Sequence, residues 1–180
     1  MDKKTNWQEY QAIIEQQGIT KLYHFTDRDN LQSIIQNGGL YSWADCEEEG
    51  ISIAKPGGSN SSRSLDARDG LQRYVRVSFV TQHPMMYVAM NEGRISNPVL
   101  LEIDPQVIYW KDSKYADRNA TKNGARVGGD VEDFKAIHFS SIKALKHFDL
   151  DDEEQKFYQA EVLVKNFIPL EYIKNIGNFG

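Results

Sequence analysis

A carboxylate, a histidine with polar neighbours, and an arginine in this chain have types and spacing that suit group-transfer chemistry. Glu161 lies within the run Tyr158–Val164, whose alternation puts Gln159, Glu161 and Leu163 on one strand face and Ala160, Val162 and Val164 on the other. A carboxylate there either faces solvent or lines a cleft with partners, because burying an unpaired charge is costly. In a cleft, such a group is a candidate for acid–base or charge-stabilising work. His24 and Thr26 share one face of the stretch Lys21–Thr26, and Asn30 follows just past its end. Polar groups at a strand-to-helix junction can hold a polar ligand, with helix N–H groups adding positive potential. The plainer alternative is a structural histidine beside a helix cap. Arg63, in Ser62-Arg63-Ser64-Leu65-Asp66, could clamp a phosphate or polarise a substrate through its planar, always-charged guanidinium, or it could be an ordinary surface arginine.

Other chemistries find no support. The four histidines, at 24, 83, 138 and 147, are scattered, and with one cysteine no zinc-ligand spacing exists, so no metal is expected. Gly57-Gly58 lacks the Gly-Lys-Ser/Thr of a P-loop, and Gly124–Gly129 carries glycines without a strand-to-helix turn. Cys46 precedes Glu47, Glu48 and Glu49, which disfavour a thiolate and make it a poor nucleophile. A lone cysteine forms no internal disulfide, and a reducing, cytoplasmic setting is expected.

The elements that must position these groups are partly legible. Residues 6–17 carry Trp7, Tyr10, Ile13 and Ile14 at helical spacing before Gly18. Lys21–Thr26 reads as a strand, followed by a helix with Leu31, Ile34 and Ile35 on one face, Asp27 or Asp29 as cap, and Gly38-Gly39 as stop. Residues 45–72 read as a long irregular segment with a short strand at Ile51–Ala54; loops this long in a compact domain usually serve function or move. Residues 73–80 alternate cleanly as a half-buried strand. Val99–Ile103 and Val107–Trp110 read as strands about a turn at Asp104-Pro105. Residues 111–131 read as a second polar loop, and Ala136–Phe139, Tyr158–Val164 and Tyr172–Ile176 as strands. No β-α-β-α alternation appears, so the fold class is α+β.

The 180-residue chain is 40% hydrophobic and 26% charged, a composition that argues for one globular domain over residues 1–180 and against disorder. No apolar run approaches the roughly 20 residues of a membrane span, and the lysines at 3 and 4 precede no apolar run of a secretory signal. The net charge of −5 disfavours binding nucleic acid by bulk electrostatics. The acids cluster at 45–49 and 149–154, however, and the middle of the chain, from Arg63 to Arg126, is locally basic.

Taken together, these segments resemble one family. Tyr23-His24-Phe25-Thr26-Asp27-Arg28-Asp29-Asn30-Leu31, with Ile34-Ile35 and Gly38-Gly39-Leu40, is similar to the opening motif of the DarT family of DNA ADP-ribosyltransferase toxins. Leu71–Val75 through Pro84-Met85-Met86-Tyr87 resembles the family's central strand and its end. Tyr115–Ala120 resembles the loop before the acceptor site, and Gln159-Ala160-Glu161-Val162-Leu163-Val164 the terminal strand that carries the catalytic glutamate. The likeness runs in order from about residue 21 to 176. Where typical members read Tyr-Val-Pro-Phe-Tyr-Phe this chain has Tyr74-Val75-Arg76-Val77-Ser78-Phe79, and where they read Pro-Arg-Ser-Pro it has Thr81-Gln82-His83-Pro84. The resemblance is therefore to a divergent branch of the family.

The resemblance implies an ADP-ribosyltransferase-like fold of two packed, mainly antiparallel sheets with flanking helices and an NAD cleft. It implies Glu161 as catalytic carboxylate and a catalytic arginine in the loop before the central strand, assigned to Arg63 with Arg68 as runner-up. NAD, as co-substrate, would be bound by His24, Thr26, Asn30 and Tyr87, and the nucleic acid by Arg76, Arg118, Asn119 and Arg126. The expected reaction is transfer of ADP-ribose to thymine or guanine in single-stranded DNA, because a base nitrogen is poorly reached inside a duplex. The implied setting is a toxin–antitoxin or phage-defence system with a DarG-like macrodomain antitoxin. An RNA or protein ADP-ribosyltransferase, and a non-catalytic nucleic-acid-binding module, are the alternatives.

Overall fold

A computed structural model describes residues 1–179. In chain order the elements are α1 (Trp7–Gln16), β1 (Leu22–Asp27), α2 (Leu31–Gln36), β2 (Gly39–Tyr41), α3 (Trp43–Glu49), α4 (Asn60–Asp69), β3 (Tyr74–Ser78), α5 (Pro84–Asn91), β4 (Pro98–Ile103), β5 (Lys114–Ala116), β6 (Val127–Gly128), α6 (Val131–Lys135), α7 (Phe139–Ile142), β7 (Glu161–Lys165) and β8 (Phe167–Pro169). Six strands form an antiparallel sheet in the order β4-β1-β3-β7-β5-β6, and β2 pairs with β8 in a small second sheet. The α+β class follows.

The large sheet is built as two halves. β1 pairs with β4 along its whole length, from Leu22↔Ile103 to Asp27↔Pro98. β3 pairs with β7 from Tyr74↔Lys165 to Ser78↔Glu161. The two halves meet at a single ladder position, Tyr23↔Ser78. Beyond it the strands diverge, and the His24 ring replaces the missing ladder bond, its Nδ1–H donating to the Arg76 carbonyl at 2.8 Å. The expected two sheets are thus one continuous six-stranded sheet, split at this point, and the small β2–β8 sheet.

The core is anchored by residues of four neighbouring strands, of which β4 alternates strictly and β7 is buried on both faces from Glu161 to Val164. Leu22, Leu101, Ile103, Val77, Val162 and Val164 are buried across the sheet, each such side chain stabilising the fold by roughly 1.5–3 kcal/mol. On one side Tyr10 of α1, Tyr115 of β5 and Phe134 of α6 pack ring against ring, with centroids 5.0 to 5.7 Å apart. In the small sheet, Gly39 has φ +153, and a Cβ there would collide with the Ile168 carbonyl; glycine is required for β2 to lie against β8.

Six expectations are corrected. Residues 45–72 are irregular mainly over 51–59: α3, capped by Ser42 and closed by left-handed Gly50, and α4, bounded by Ser59 and Gly70, take nearly all the rest, and no strand forms at Ile51–Ala54. Val107–Trp110 is no strand, because Asp104 caps and Pro105 starts a 3₁₀ helix over Pro105–Tyr109. Ala136–Phe139 is no strand: it runs from the end of α6 into the first residue of α7. The terminal strand begins at Glu161, residues Gln155–Gln159 forming a 3₁₀ turn, while Tyr172 ends another such turn and Ile173 makes only an isolated bridge to Ile103. The 111–131 loop also holds the short strands β5 and β6.

Candidate active site

The divergence of β1 from β3 opens a cavity of about 260 Å³. Its walls are His24 and Thr26 of β1, Asn30, the segment from Ile51 to Ser59, and Arg76 and Ser78 of β3; Glu161 lies among its lining residues. Glu161 is 5% exposed, so the solvent-facing alternative is excluded. Its position follows from register. Ser78 and Ala116 flank it on the neighbouring strands, and Arg76, two residues from Ser78, shares its face.

Glu161 is held by two donors on one oxygen. Arg76 Nη1 donates to Oε2 at 2.9 Å and the Ala120 backbone N–H donates to the same Oε2 at 3.0 Å. All hydrogen bonds of the Glu161 carboxylate among the described residues fall on that atom, which leaves Oε1 as the acceptor available to a ligand hydroxyl. Arg76 does more than pair with Glu161. Its Nη2 donates to Asp66 Oδ1, and Nη1 also approaches Asn119 Oδ1 at 3.4 Å. Asp66 accepts from Trp43 Nε1 at 3.3 Å. Asn119 in turn accepts from the Thr121 N–H and hydroxyl, which folds the 117–121 loop over the carboxylate. Burial pushes the Asp66 carboxyl above the ordinary aspartate range, against the pull of Arg76. For Arg76 burial works the other way, yet Glu161 and Asp66 raise its pKa and keep it charged. Removing Arg76 from this cluster costs about 3–5 kcal/mol, because it strands two buried carboxylates, whereas neutralising Asp66 leaves Arg76 paired with Glu161.

At the strand-to-helix junction, the Asn30 amide is fully engaged. It donates to Thr26 Oγ1 at 3.0 Å and to the Lys55 carbonyl at 2.7 Å, and accepts from the Lys55 N–H at 2.9 Å. Asp27 caps the turn into α2, accepting from Asp29, Ser96 and Asn97 backbone N–H groups. Burial opposes its charge, but those N–H groups and Lys55 hold its carboxyl below the usual range. Lys55 bridges to Asp29 at 3.0 Å. Burial lowers the His24 pKa against the bond to the Arg76 carbonyl; the neutral ring then carries its proton on Nδ1 and presents Nε2 as an acceptor. His83 caps α5, its Nδ1 accepting from the Met85 N–H at 3.1 Å, and burial, then the Arg76 charge, lowers its pKa to about 4.

The residues singled out from the sequence are thus distributed unevenly. His24, Thr26, Asn30, Arg63, Arg76, Asn119 and Glu161 all line the cavity. Arg63 does so with its guanidinium turned to Glu47, 3.2 Å away, and lying over the Trp43 ring. Arg68 points outward, its side chain 61% exposed and paired with Asp69. Tyr87 is 46% exposed on α5, outside the cavity lining. Arg118 pairs with Asp117 and covers the Phe157 ring, and Arg126 pairs with Asp133; neither lines the cavity. Sequence reasoning missed Asp66 and His83. Asp66 was findable: Arg63 and Asp66 are three apart, on one face of a helix that Ser59 starts and Gly70 stops.

Among the described residues no group of three or more His, Cys, Asp or Glu could hold a metal, and no helix is long and apolar enough to cross a membrane. The family model described as "ssDNA thymidine ADP-ribosyltransferase, DarT" matches residues 23–179. A DNA ADP-ribosyl transferase of Thermus aquaticus is 26% identical over 179 residues, covering 90% of this chain and 78% of that protein. Among solved structures, DarT of Thermus sp. 2.9 in complex with ADP-ribosylated single-stranded DNA superposes with a TM-score of 0.70 at 21% identity, over 87% of this chain and 79% of the other. The same protein with NAD+ gives 0.62 at 21%, over 89% and 85%. Thermosipho africanus DarTG with ADP-ribose gives 0.69 at 21%, over 86% of this chain and 42% of the other.

Proposed function

This chain belongs to the DarT family, and on that premise we propose that it consumes NAD to ADP-ribosylate a base in single-stranded DNA. One observation carries the reading. Glu161 lies among the residues lining a cleft opened between β1 and β3, held through Oε2 alone, as a carboxylate that must act on a ribose would be held.

The chemistry assigns distinct work to the lining residues. Glu161 Oε1 accepts a ribose hydroxyl and stabilises the positive charge that develops at the ribose C1′ as the bond to nicotinamide breaks. The bonding pair leaves with neutral nicotinamide, a base nitrogen bonds to C1′, and its proton passes to Glu161 and then to solvent. His24, neutral with Nε2 as acceptor, binds a ribose hydroxyl of NAD beside Thr26. Asn30 supports NAD indirectly, by fixing the Lys55 segment. Tyr87, Arg118 and Arg126, outside the cleft, contact the nucleic acid, whose backbone and bases suit cations and exposed rings. Single-stranded substrate is required because the reacting nitrogen must be exposed.

Beyond the reaction, we place the activity in the cytoplasm, in one domain, as the toxin of a pair whose macrodomain antitoxin removes the mark. A competition experiment tests the acceptor class. Labelled NAD is offered with equimolar single-stranded DNA, single-stranded RNA and duplex DNA. Label on single-stranded DNA, with at least about tenfold less on the duplex, supports the reading. Equal label on RNA, or label on protein alone, moves it to the other acceptors.

A further inference from the structure

The guanidinium that reaches Glu161 comes from the central strand and not from the segment before it. Arg63 is committed to Glu47 and the Trp43 ring, and Arg68 to Asp69. Arg76 stands on β3 two residues from Ser78, the register partner of Glu161, so its side chain lies on the carboxylate's face of the sheet. We infer that Arg76 is a positioning residue for Glu161, and that Asp66 supplies the charge that lets it be one without cancelling Glu161. The inference rests on the ADP-ribosyl-transfer reading above.

The geometry divides one fork between two carboxylates. Nη1 serves Glu161 Oε2 and Nη2 serves Asp66 Oδ1. Guanidinium can do this because its donors lie in a fixed plane, whereas a lysine is a single point charge. With Nη1 and the Ala120 N–H converging on Oε2, the Glu161 carboxylate has one orientation, and Oε1 is its free acceptor. The Trp43 indole holds Asp66 at its other oxygen. Four elements, α3, α4, β3 and β7, thereby fix one oxygen atom.

Charge explains why the second carboxylate is needed. A guanidinium beside a single carboxylate sums to zero, and the field at a ribose carbon turning positive would be largely cancelled. With Asp66 the cluster sums to −1, so a net negative charge faces the ribose in a site where water screens poorly. Asp66 acts at a distance, through Arg76, and the transition state, more positive at C1′ than the bound substrate, gains more than the ground state does.

The test is steady-state nicotinamide release by the full chain, with a single-stranded oligonucleotide present, for wild type, Asp66→Asn, Arg76→Lys and the double variant. Asp66→Asn keeps an acceptor for Arg76 and removes only the charge. It is expected to lower kcat about 10- to 100-fold with KM for NAD within about threefold, at an unchanged melting temperature. Arg76→Lys is expected to fall as far, and the double variant no further than the worse single one, as for two parts of one device. A kcat for Asp66→Asn within about twofold of wild type overturns the inference; so do losses that add in the double variant or that track a lowered melting temperature. If Arg76→Lys fails to fold, Asp66→Asn decides alone. If wild type releases no nicotinamide, the transfer reading has failed and the inference falls with it; active wild type with active Asp66→Asn sinks the inference only.

Discussion

The inner end of the cleft and the segment that covers it are built on opposite terms. Glu161, Arg76 and Ser78 stand on paired strands, with register fixed on both sides of β7 and each charge matched by a buried partner. The cover, Ile51 to Ser59, has no regular structure and is tied down from its ends and through Lys55: the Ile51 N–H donates to the Cys46 carbonyl at 2.8 Å, Ser33 Oγ to the Ser52 carbonyl at 2.8 Å, and Lys55 bonds Asn30 twice, Asp29 and Ser96. Chemistry that needs sub-ångström placement sits on the paired strands, while the other wall of the cleft is irregular backbone fixed by side-chain bonds.

The sharpest way to break that contrast is at Glu161. Glu161→Gln keeps the shape and the acceptor for Arg76 while removing the charge, and is expected to cost about 10³-fold or more in kcat, without unfolding, in a nicotinamide-release assay. Retained activity would mean the paired strands are only scaffold. The next effect is on stability. His83 remains neutral in the fold down to about pH 4, whereas the unfolded chain takes up its proton near pH 6.5. The unfolded state therefore binds more protons in that window, and stability falls as pH drops from about 6.5 to 4, by up to roughly 3 kcal/mol. His83→Gln, read by denaturant unfolding at pH 7 and pH 5, is expected to flatten that slope.

The cover calls for a smaller, differently shaped effect. Asn30→Ala releases both Lys55 bonds and is expected to raise KM for NAD about tenfold while leaving kcat within about twofold. Loss of kcat instead would place Asn30 with the paired strands. Smallest of all is Arg68→Ala, expected to leave the rate within a factor of about two, as at most exposed positions.

The same contrast separates what the sequence disclosed from what it hid. Strands with strict alternation, such as Tyr74–Ser78, and the junction at Asn30 were legible because burial imposes their period. Glu161 was legible as an anomaly, a charge inside an apolar run. Helix α4 was hidden because Leu65 is its only large apolar residue, so no amphipathic period betrays it and only its Ser59 and Gly70 boundary signals do. With α4 unseen, Asp66 could not be placed facing Arg76. The run Val107–Trp110 misled for the opposite reason: a short fully apolar stretch carries no period, and the Asp104-Pro105 start signal outweighs it. Tyr87 is a likeness in sequence whose side chain α5 carries outside the cleft.

The most direct test of the central claim is intact mass measurement of a single-stranded DNA oligonucleotide incubated with NAD and either wild type or Glu161→Ala. A gain of one ADP-ribose unit with wild type, and none with a folded Glu161→Ala, is the predicted result. No gain with wild type on any oligonucleotide, or an equal gain with both proteins, would contradict it.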